Sequence, residues 1–332
     1  MYSWQINQWQ HITQRANLPH ALLLRGPAGT GKHDFAIELA QALLCRAPAA
    51  DKTACNACPS CVWFAECGHP DFKLISPEDA EASEETNSAP KKKTAKKSQI
   101  SVVQIRQLID YLTLSTHQVG GKRIIIISPA DALNTASANA LLKALEEPPA
   151  NTLFLLVTSQ PQRLLATITS RCQAVDMPLP SLQTALAWLN AQGIKAAENL
   201  LAHAGGSPLL AQQAAQDSEL NLNLMQQLSL GAKLNPFASA PLFLGLGMER
   251  AIDGLQKWLF DVLACKFTLS LRYHPQQIVA LQALAKGVNL RLLFNFQDKL
   301  TEAKKTANHP LSNEAQLENI LLQYAQLFAV IK

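Results

Sequence analysis

A chain of 332 residues, 48% hydrophobic and 16% charged, describes a soluble globular protein with length for about two or three domains, each able to bury its own core. No apolar run approaches the roughly 20 residues a membrane helix requires. The start, MYSWQINQWQ, has neither the basic region nor the apolar core of a signal peptide, so a cytoplasmic location is expected. A net charge of +4 permits contact with nucleic acid without arguing for it, because a committed binder concentrates its positive charge on one face.

In chain order, Trp4 to Asn17 reads as a short amphipathic helix carrying Trp4, Ile6, Trp9 and Ile12. The apolar run Ala21 to Leu24 then leads into GPAGTGKH, Gly26 to His33, which opens a helical run from Asp34 to Leu44. A strand, a glycine turn and a helix is the setting in which GxxxxGK[ST] cradles phosphate on backbone N–H groups at a positive helix end. Gly26, Gly29 and Gly31 permit the turn, Thr30 lies within it, and Lys32 can reach the β/γ-phosphates. His33 stands where a Ser or Thr hydroxyl would hold magnesium, and a neutral imidazole is a poor ligand for that hard cation. The sequence keeps a phosphate cradle and discards part of its metal chemistry.

Seven cysteines, unevenly placed, argue for metal binding over a disulfide framework. Cys45, Cys55, Cys58 and Cys61 form C-x9-C-x2-C-x2-C, in which each C-x2-C step aims two sulfurs at one ion, and four thiolates suit a closed, structural Zn²⁺. Cys67 and His69 are substitutes whose spacing fits less well. Val62, Trp63 and Phe64 read as packing residues, which leaves a DNA-binding finger without a basic recognition helix. Cys172 and Cys265, in apolar runs, read as buried thiols.

Phe72 to Ile75 reads as a second strand. Pro77 to Gln99 breaks the composition: five acidic residues precede Lys91, Lys92, Lys93, Lys96 and Lys97, with almost no large apolar side chain, so a disordered insertion is expected. Val102 to Leu114 returns to helical spacing and ends at Gly120 and Gly121. Ile124 to Ile127, unbroken and β-branched, has the pattern of a central parallel strand covered on both faces. Asn134 can cap a helix from Thr135 to Glu147, stopped by Pro148 and Pro149. Leu153 to Thr158 and Ala174 to Met177 complete the strands. Alternating strands and helices predict a doubly wound parallel α/β sheet with ligands at the carboxyl ends of its strands.

Beyond Pro180 the strand signal vanishes. Leu182 to Gln192 and Ala196 to Ala204 read as two helices ended by Gly205, Gly206 and Pro208. Helical spacing continues over Leu220 to Leu228, Leu242 to Leu271, Pro275 to Ala285, Leu290 to Thr306 and Ser312 to Ile331. The expected organisation is an α/β domain over 1–178, with a zinc module at 45–61 and the insertion at 77–99. A small helical lid over 179–216 and an all-α domain over 217–332 follow.

At LLKALEEPP (Leu141 to Pro149) and TSQPQRLLATITSRC (Thr158 to Cys172) the chain resembles the clamp-loader branch of the AAA+ ATPases. The resemblance is strong from about Trp4 to Pro180 and traceable later in AGGSP (Ala204 to Pro208) and NHPLSNEAQLENILLQY (Asn308 to Tyr324). It implies an AAA+ fold with a lid and an oligomerising collar, and a zinc module at the cysteine cluster. It also implies roles for named residues. Active members carry Asp-Glu after the strand Ile124 to Ile127, to orient magnesium and polarise water; counting back from Glu146 and Glu147, those positions are Ser128 and Pro129. A further arginine, expected just after the glycine-serine turn of the lid, falls near Leu209. With His33, four elements of hydrolysis in cis are absent or altered. Thr158 stands where the family senses the γ-phosphate, or else satisfies a strand-end backbone group.

Arg171 of SRC remains. In the family this arginine reaches the nucleotide of a neighbouring subunit; otherwise it caps the preceding helix. The function implied is a non-hydrolysing clamp-loader subunit whose Arg171 completes the ATP site of an ATPase motor subunit. It would assemble with a delta-like subunit as well, and act on a sliding clamp and primed DNA through the complex, with no membrane role. A working P-loop NTPase, with ATP bound at Gly26 to Lys32 and an acidic residue elsewhere supplying the base, is the alternative in cis. A zinc-dependent DNA-binding module is a third reading.

Overall fold

The computed structural model describes residues 1–15, 17–77, 99–114, 116–117, 121–268, 270–306 and 313–329. The expected insertion at 77–99 and the turn glycine Gly120 therefore lie, apart from its end residues, outside the described residues. The chain divides into two compact units, Met1–Pro180 and Ser181–Lys332.

The first unit is a five-stranded parallel sheet. Its strands are β1 (Ala21–Arg25), β2 (Phe72–Ile75), β3 (Arg123–Ile127), β4 (Thr152–Thr158) and β5 (Gln173–Asp176), in the spatial order β2-β3-β4-β1-β5. The pairing register sets Leu23 opposite Leu156 and Ala174, and Ile125 opposite Lys73 and Phe154. The β-branched run of β3 is buried at every position, as a strand covered on both faces requires.

Strand alternation sorts those side chains into two cores. Leu22, Leu24, Ile124, Ile126, Leu153 and Leu155 pack with Trp9 and Ile12 of α1 (Ile6–Thr13) and with Phe35 and Leu39 of α2 (Lys32–Leu44). Leu23, Ile125, Ile127, Phe154 and Leu156 face the other way. They meet α4 (Val102–Leu112), α5 (Thr135–Glu146) and Ile168 of the short α6 (Ala166–Thr169). This is the expected doubly wound sheet. Asn134 caps α5 as its sequence position indicates, accepting from the Ser137 N–H at 2.9 Å. The expected helix from Trp4 to Asn17 is shorter, a 3-10 turn at Ser3–Gln5 followed by α1. The cysteine cluster holds α3 (Pro59–Ala65), a helix whose start at Pro59 was masked by the cysteine pattern.

The second unit is all helical. Helices α7 (Leu182–Ala191), α8 (Ala197–His203) and α9 (Pro208–Gln216) enclose a small core of Ala185, Leu189, Leu201 and Ala211. A larger core joins α10 (Ser218–Ser229), α11 (Pro236–Leu244), α12 (Met248–Phe267), α13 (Ile278–Gly287), α14 (Leu290–Thr306) and α15 (Asn313–Gln326). At its centre the Trp258 Nε1–H donates to Tyr324 Oη at 2.9 Å, and that hydroxyl donates to the Leu228 carbonyl at 2.6 Å. The expected single helix from Leu242 to Leu271 is two helices, interrupted where Gly247 takes φ +85°. Pro208, expected to end a helix, opens α9, and Pro236 opens α11. At the first helical position the missing N–H costs nothing.

Candidate functional site

The turn after β1 places the glycine loop at the carboxyl edge of the sheet, and Gly31 caps α2 with φ +79°. A Cβ at Gly26 would lie 2.1 Å from the Met177 carbonyl oxygen, and one at Gly31 would lie 2.4 Å from the Tyr2 ring. Both glycines are required by close approach. The loop is engaged with its own chain. Lys32, 4% exposed, donates from Nζ to the carbonyls of Gly26 at 2.9 Å and Pro27 at 2.5 Å. Burial pulls its ammonium down to about 8, against the opposing field of Asp131. Thr30 donates to the Pro27 carbonyl at 3.1 Å. From the amino-terminal segment, Trp4 Nε1–H and Gln5 Nε2–H donate to the Thr30 carbonyl at 3.0 and 2.9 Å, and Gln5 also to that of Gly31. Tyr2 stacks on Trp4 and bonds Asp34, so the first five residues form a clasp over the loop.

The two positions at which an active relative would hold magnesium meet each other: His33 Nδ1 and Ser128 Oγ are 2.9 Å apart. A hydroxyl and an imidazole that satisfy one another provide no oxyanion for a metal shell. Thr158, at the end of β4, donates to Asp131 Oδ1 at 2.6 Å and accepts from the Gln160 N–H at 3.0 Å, while the Ser159 N–H also reaches that carboxylate. Asp131 was not singled out in the sequence. Its importance depends on a contact with Thr158 across 27 positions; an acidic residue soon after a buried strand was the only sequence signal. Its carboxylate is held by the strand end.

Arg171 follows α6. Its Nη1–H donates to the Thr167 carbonyl at 2.9 Å and its Nη2 lies 2.5 Å from Glu146 Oε1. None of its partners among the described residues belongs to the glycine loop. Its side chain is 34% exposed and that of Glu146 is 48% exposed, so the guanidinium rests at the surface. Leu209 lies in the first turn of α9, in the second unit.

Cys45 ends α2, Cys58 precedes α3 and Cys61 lies within it. Their sulfurs and that of Cys55 all fall within 4.8 Å of one another. A tetrahedral Zn²⁺ with Zn–S bonds of about 2.3 Å sets its sulfurs about 3.8 Å apart. Here Cys45 to Cys55 is 3.5 Å, Cys45 to Cys58 3.9 Å and Cys55 to Cys61 4.0 Å. The N–H groups of Cys55 and Cys58 point at the sulfurs of Cys45 and Cys55, each at 3.3 Å. Hydrogen bonds from Ala57 and Cys58 lower the Cys55 thiol, whereas burial raises that of Cys61. The four-cysteine cluster fits a structural zinc ion. Cys67 is exposed and outside this set, and both ring nitrogens of His69 are taken, by Ser60 at 2.9 Å and the Asp71 N–H at 3.1 Å.

The sequence family described as "DNA polymerase III, delta subunit" matches residues 2–181. DNA polymerase III subunit delta' of Pseudomonas aeruginosa is 34% identical over 98% of this chain and 96% of its own. This chain belongs to the delta' family of DNA polymerase III. The delta' subunit of Escherichia coli is also 34% identical, over 57% of this chain and 52% of its own. DNA polymerase III subunit tau of Bacillus subtilis is 30% identical over 76% of this chain and 42% of its own. Among solved structures, a DNA polymerase III gamma subunit-related protein from Thermotoga maritima aligns over 98% of this chain and all of that one, at 18% identity and a TM-score of 0.47. The clamp-loader resemblance read from LLKALEEPP and SRC is thus upheld by delta' relatives that span nearly the whole chain. Among the described residues no helix is long and apolar enough to cross a membrane.

Proposed function

We propose that this delta' chain works as a clamp-loader subunit that does not hydrolyse ATP itself and lends Arg171 to the nucleotide of an adjacent motor subunit. The observation that carries the reading is the bond between His33 and Ser128, which occupies the two places where a metal shell would be built. Lys32, turned onto the loop's own carbonyls, and the clasp of Tyr2, Trp4 and Gln5 support it further. In this arrangement Gly26, Gly29, Thr30, Gly31 and Lys32 serve as a rigid corner of the sheet, and Thr158 holds Asp131. Bound ATP would have to displace Lys32 from two carbonyls.

Cys45, Cys55, Cys58 and Cys61 would hold Zn²⁺ as a purely structural ion. With four protein sulfurs the shell is closed to water, and the ion would fasten α3 to the end of α2. Residues 179–216 act as the lid and 217–332 as the collar that joins the chain to the motor and delta-like subunits. Through them it would act on the sliding clamp and primed DNA, in the cytoplasm. ATP turnover by the purified chain tests the reading: turnover should stay at background, and a rate typical of motor subunits, abolished by Lys32→Ala, would overturn it.

A further inference from the structure

The clamp-loading role assigns Glu146 no task, and local electrostatics argue against a carboxylate where it stands. Glu146 is the last residue of α5, Glu147 caps that end, and Pro148 and Pro149 follow. The final carbonyls of a helix carry partial negative charge, so a carboxylate among them is repelled by its own helix. Lys143, in the same turn, is the kind of side chain that this end favours. What offsets the repulsion comes from elsewhere: α6 packs on α5, and Arg171, just beyond α6, sets its Nη2 2.5 Å from Glu146 Oε1.

That pair occupies the group Arg171 would offer a neighbour. A guanidinium grips phosphate best through two parallel N–H groups. Here Nη1 donates to the Thr167 carbonyl and Nη2 to the Glu146 carboxylate, so both ends of the fork are engaged within the chain. Glu146 cannot simply stay in place while the fork turns to a phosphate. It would hold a second negative charge on the far side of one guanidinium, and the repulsion would cancel part of what the arginine supplies. The carboxylate and the phosphate therefore compete for one cation. The carboxylate gives way, because both members of its pair are open to water, where such a pair is weak, whereas a γ-phosphate carries more charge in a site that excludes water.

We propose that Glu146 is a latch for Arg171, a positioning residue that parks the finger on its own subunit until a neighbour's γ-phosphate draws it off. This role rests on the reading of Arg171 as a finger and adds a threshold to it. An exposed pair favours its closed state about two- to fivefold, and each productive engagement must overcome that bias. Bound nucleotide and a seated neighbour engage the finger together, and a guanidinium left without them returns to Glu146.

The test uses the full chain, reconstituted with its motor subunits, and compares two variants. Glu146→Gln keeps the shape and removes the charge; Arg171→Ala removes the finger. Steady-state ATP turnover gives kcat/KM for each and for the double variant. We expect Glu146→Gln to raise kcat/KM about two- to fivefold without lowering kcat, and to do nothing in a chain that already carries Arg171→Ala. A residue that merely supports the fold, or that steadies the finger while it works, would lower kcat/KM when changed, so the sign of the effect decides. Glu146→Asp, whose carboxylate is drawn back by one methylene, should fall between Gln and wild type. In the free chain, NMR of the Arg171 Nε–H should show the side chain becoming more mobile in Glu146→Gln. An unchanged or lowered kcat/KM, a rise that persists without Arg171, or an Nε–H signal indifferent to the substitution overturns the latch, while a large loss in Arg171→Ala keeps the finger. If Arg171→Ala itself leaves turnover intact, the finger falls and the latch with it.

Discussion

Replacing Arg171 by alanine separates a structural arginine from one that works on a neighbour, because the two roles differ by several kcal/mol. Within the chain the guanidinium makes one bond to the Thr167 carbonyl, a marginal one to Ser170 Oγ at 3.4 Å, and the pair with Glu146. A pair this open to water contributes about 0.2 to 1 kcal/mol, and a carbonyl bond about 1 kcal/mol. Removing both should cost the first unit about 1 to 2 kcal/mol, a fall in Tm of about 2 to 8 °C. A finger, by contrast, is worth about 10³ to 10⁵ in rate, or roughly 4 to 7 kcal/mol of barrier. The assay is a paired one: thermal unfolding of the free chain, and steady-state ATP turnover by the complex reconstituted with its motor subunits, with assembly checked by size. We expect a nearly normal melting curve, normal assembly and turnover reduced by two orders of magnitude or more. Arg171→Lys, which keeps the charge and loses the planar fork, should recover only part of it. Turnover within about threefold of wild type in a complex that assembles normally would refute the reasoning.

The other expectations are independent of that one. Stripping metal with a chelator, or Cys58→Ser, should raise hydrogen exchange over 45–67 while leaving β1, β3 and β4 protected, and purified protein should carry about one zinc per chain; well below one would reject the ion. Tyr324→Phe leaves the Trp258 N–H and the Leu228 carbonyl without their buried partner, at a cost of about 2 to 5 kcal/mol in urea unfolding of the second unit, and a loss under about 0.5 kcal/mol would contradict the bonding described. Gly31→Ala forces a methyl group into the Tyr2 ring at a positive φ, so it should loosen the clasp and expose Trp4 to fluorescence quenchers; unchanged quenching would show that the clasp is not held there. His203 titrates at about 3 in the folded chain against about 6.5 unfolded. Its folded value is depressed, so the stability it contributes is complete above about pH 6.5 and declines as pH falls toward 3, by at most about 1.4 kcal/mol per pH unit. His203→Phe should flatten that part of the stability profile, and an unaltered slope would count against a neutral His203.

Much of the α/β architecture could be read from local pattern because its signals are local. Ile124 to Ile127 declares a strand covered on both sides, Asn134 three residues before Ser137 declares a cap, and the glycine loop declares the turn between β1 and α2. The helical unit was less legible at its boundaries. Pro208 and Pro236 each open a helix, and proline's ring is compatible with a first turn as well as with a stop, so the local signal points both ways. The spacing of the four cysteines was enough to group them, and the sulfur separations agree. The groups that fill the corner beside the glycine loop were beyond reach of any local pattern. His33 and Ser128 are 95 positions apart and become neighbours only because β1 and β3 end at the same edge of one sheet. Asp131 was passed over for the same reason, and so was the clasp, whose contacts run from Trp4 and Gln5 to carbonyls about 25 residues away.

If the chain is the non-hydrolysing subunit proposed above, the contact between His33 and Ser128 also makes motor chemistry hard to regain. Introducing threonine at 33 alone removes the imidazole that Ser128 meets, and introducing aspartate at 128 alone gives His33 a carboxylate to pair with, so the two close on each other and not on a metal. Pro129 supplies no base whichever comes first. Neither single replacement completes a metal shell, so turnover would return only when several replacements arrive together.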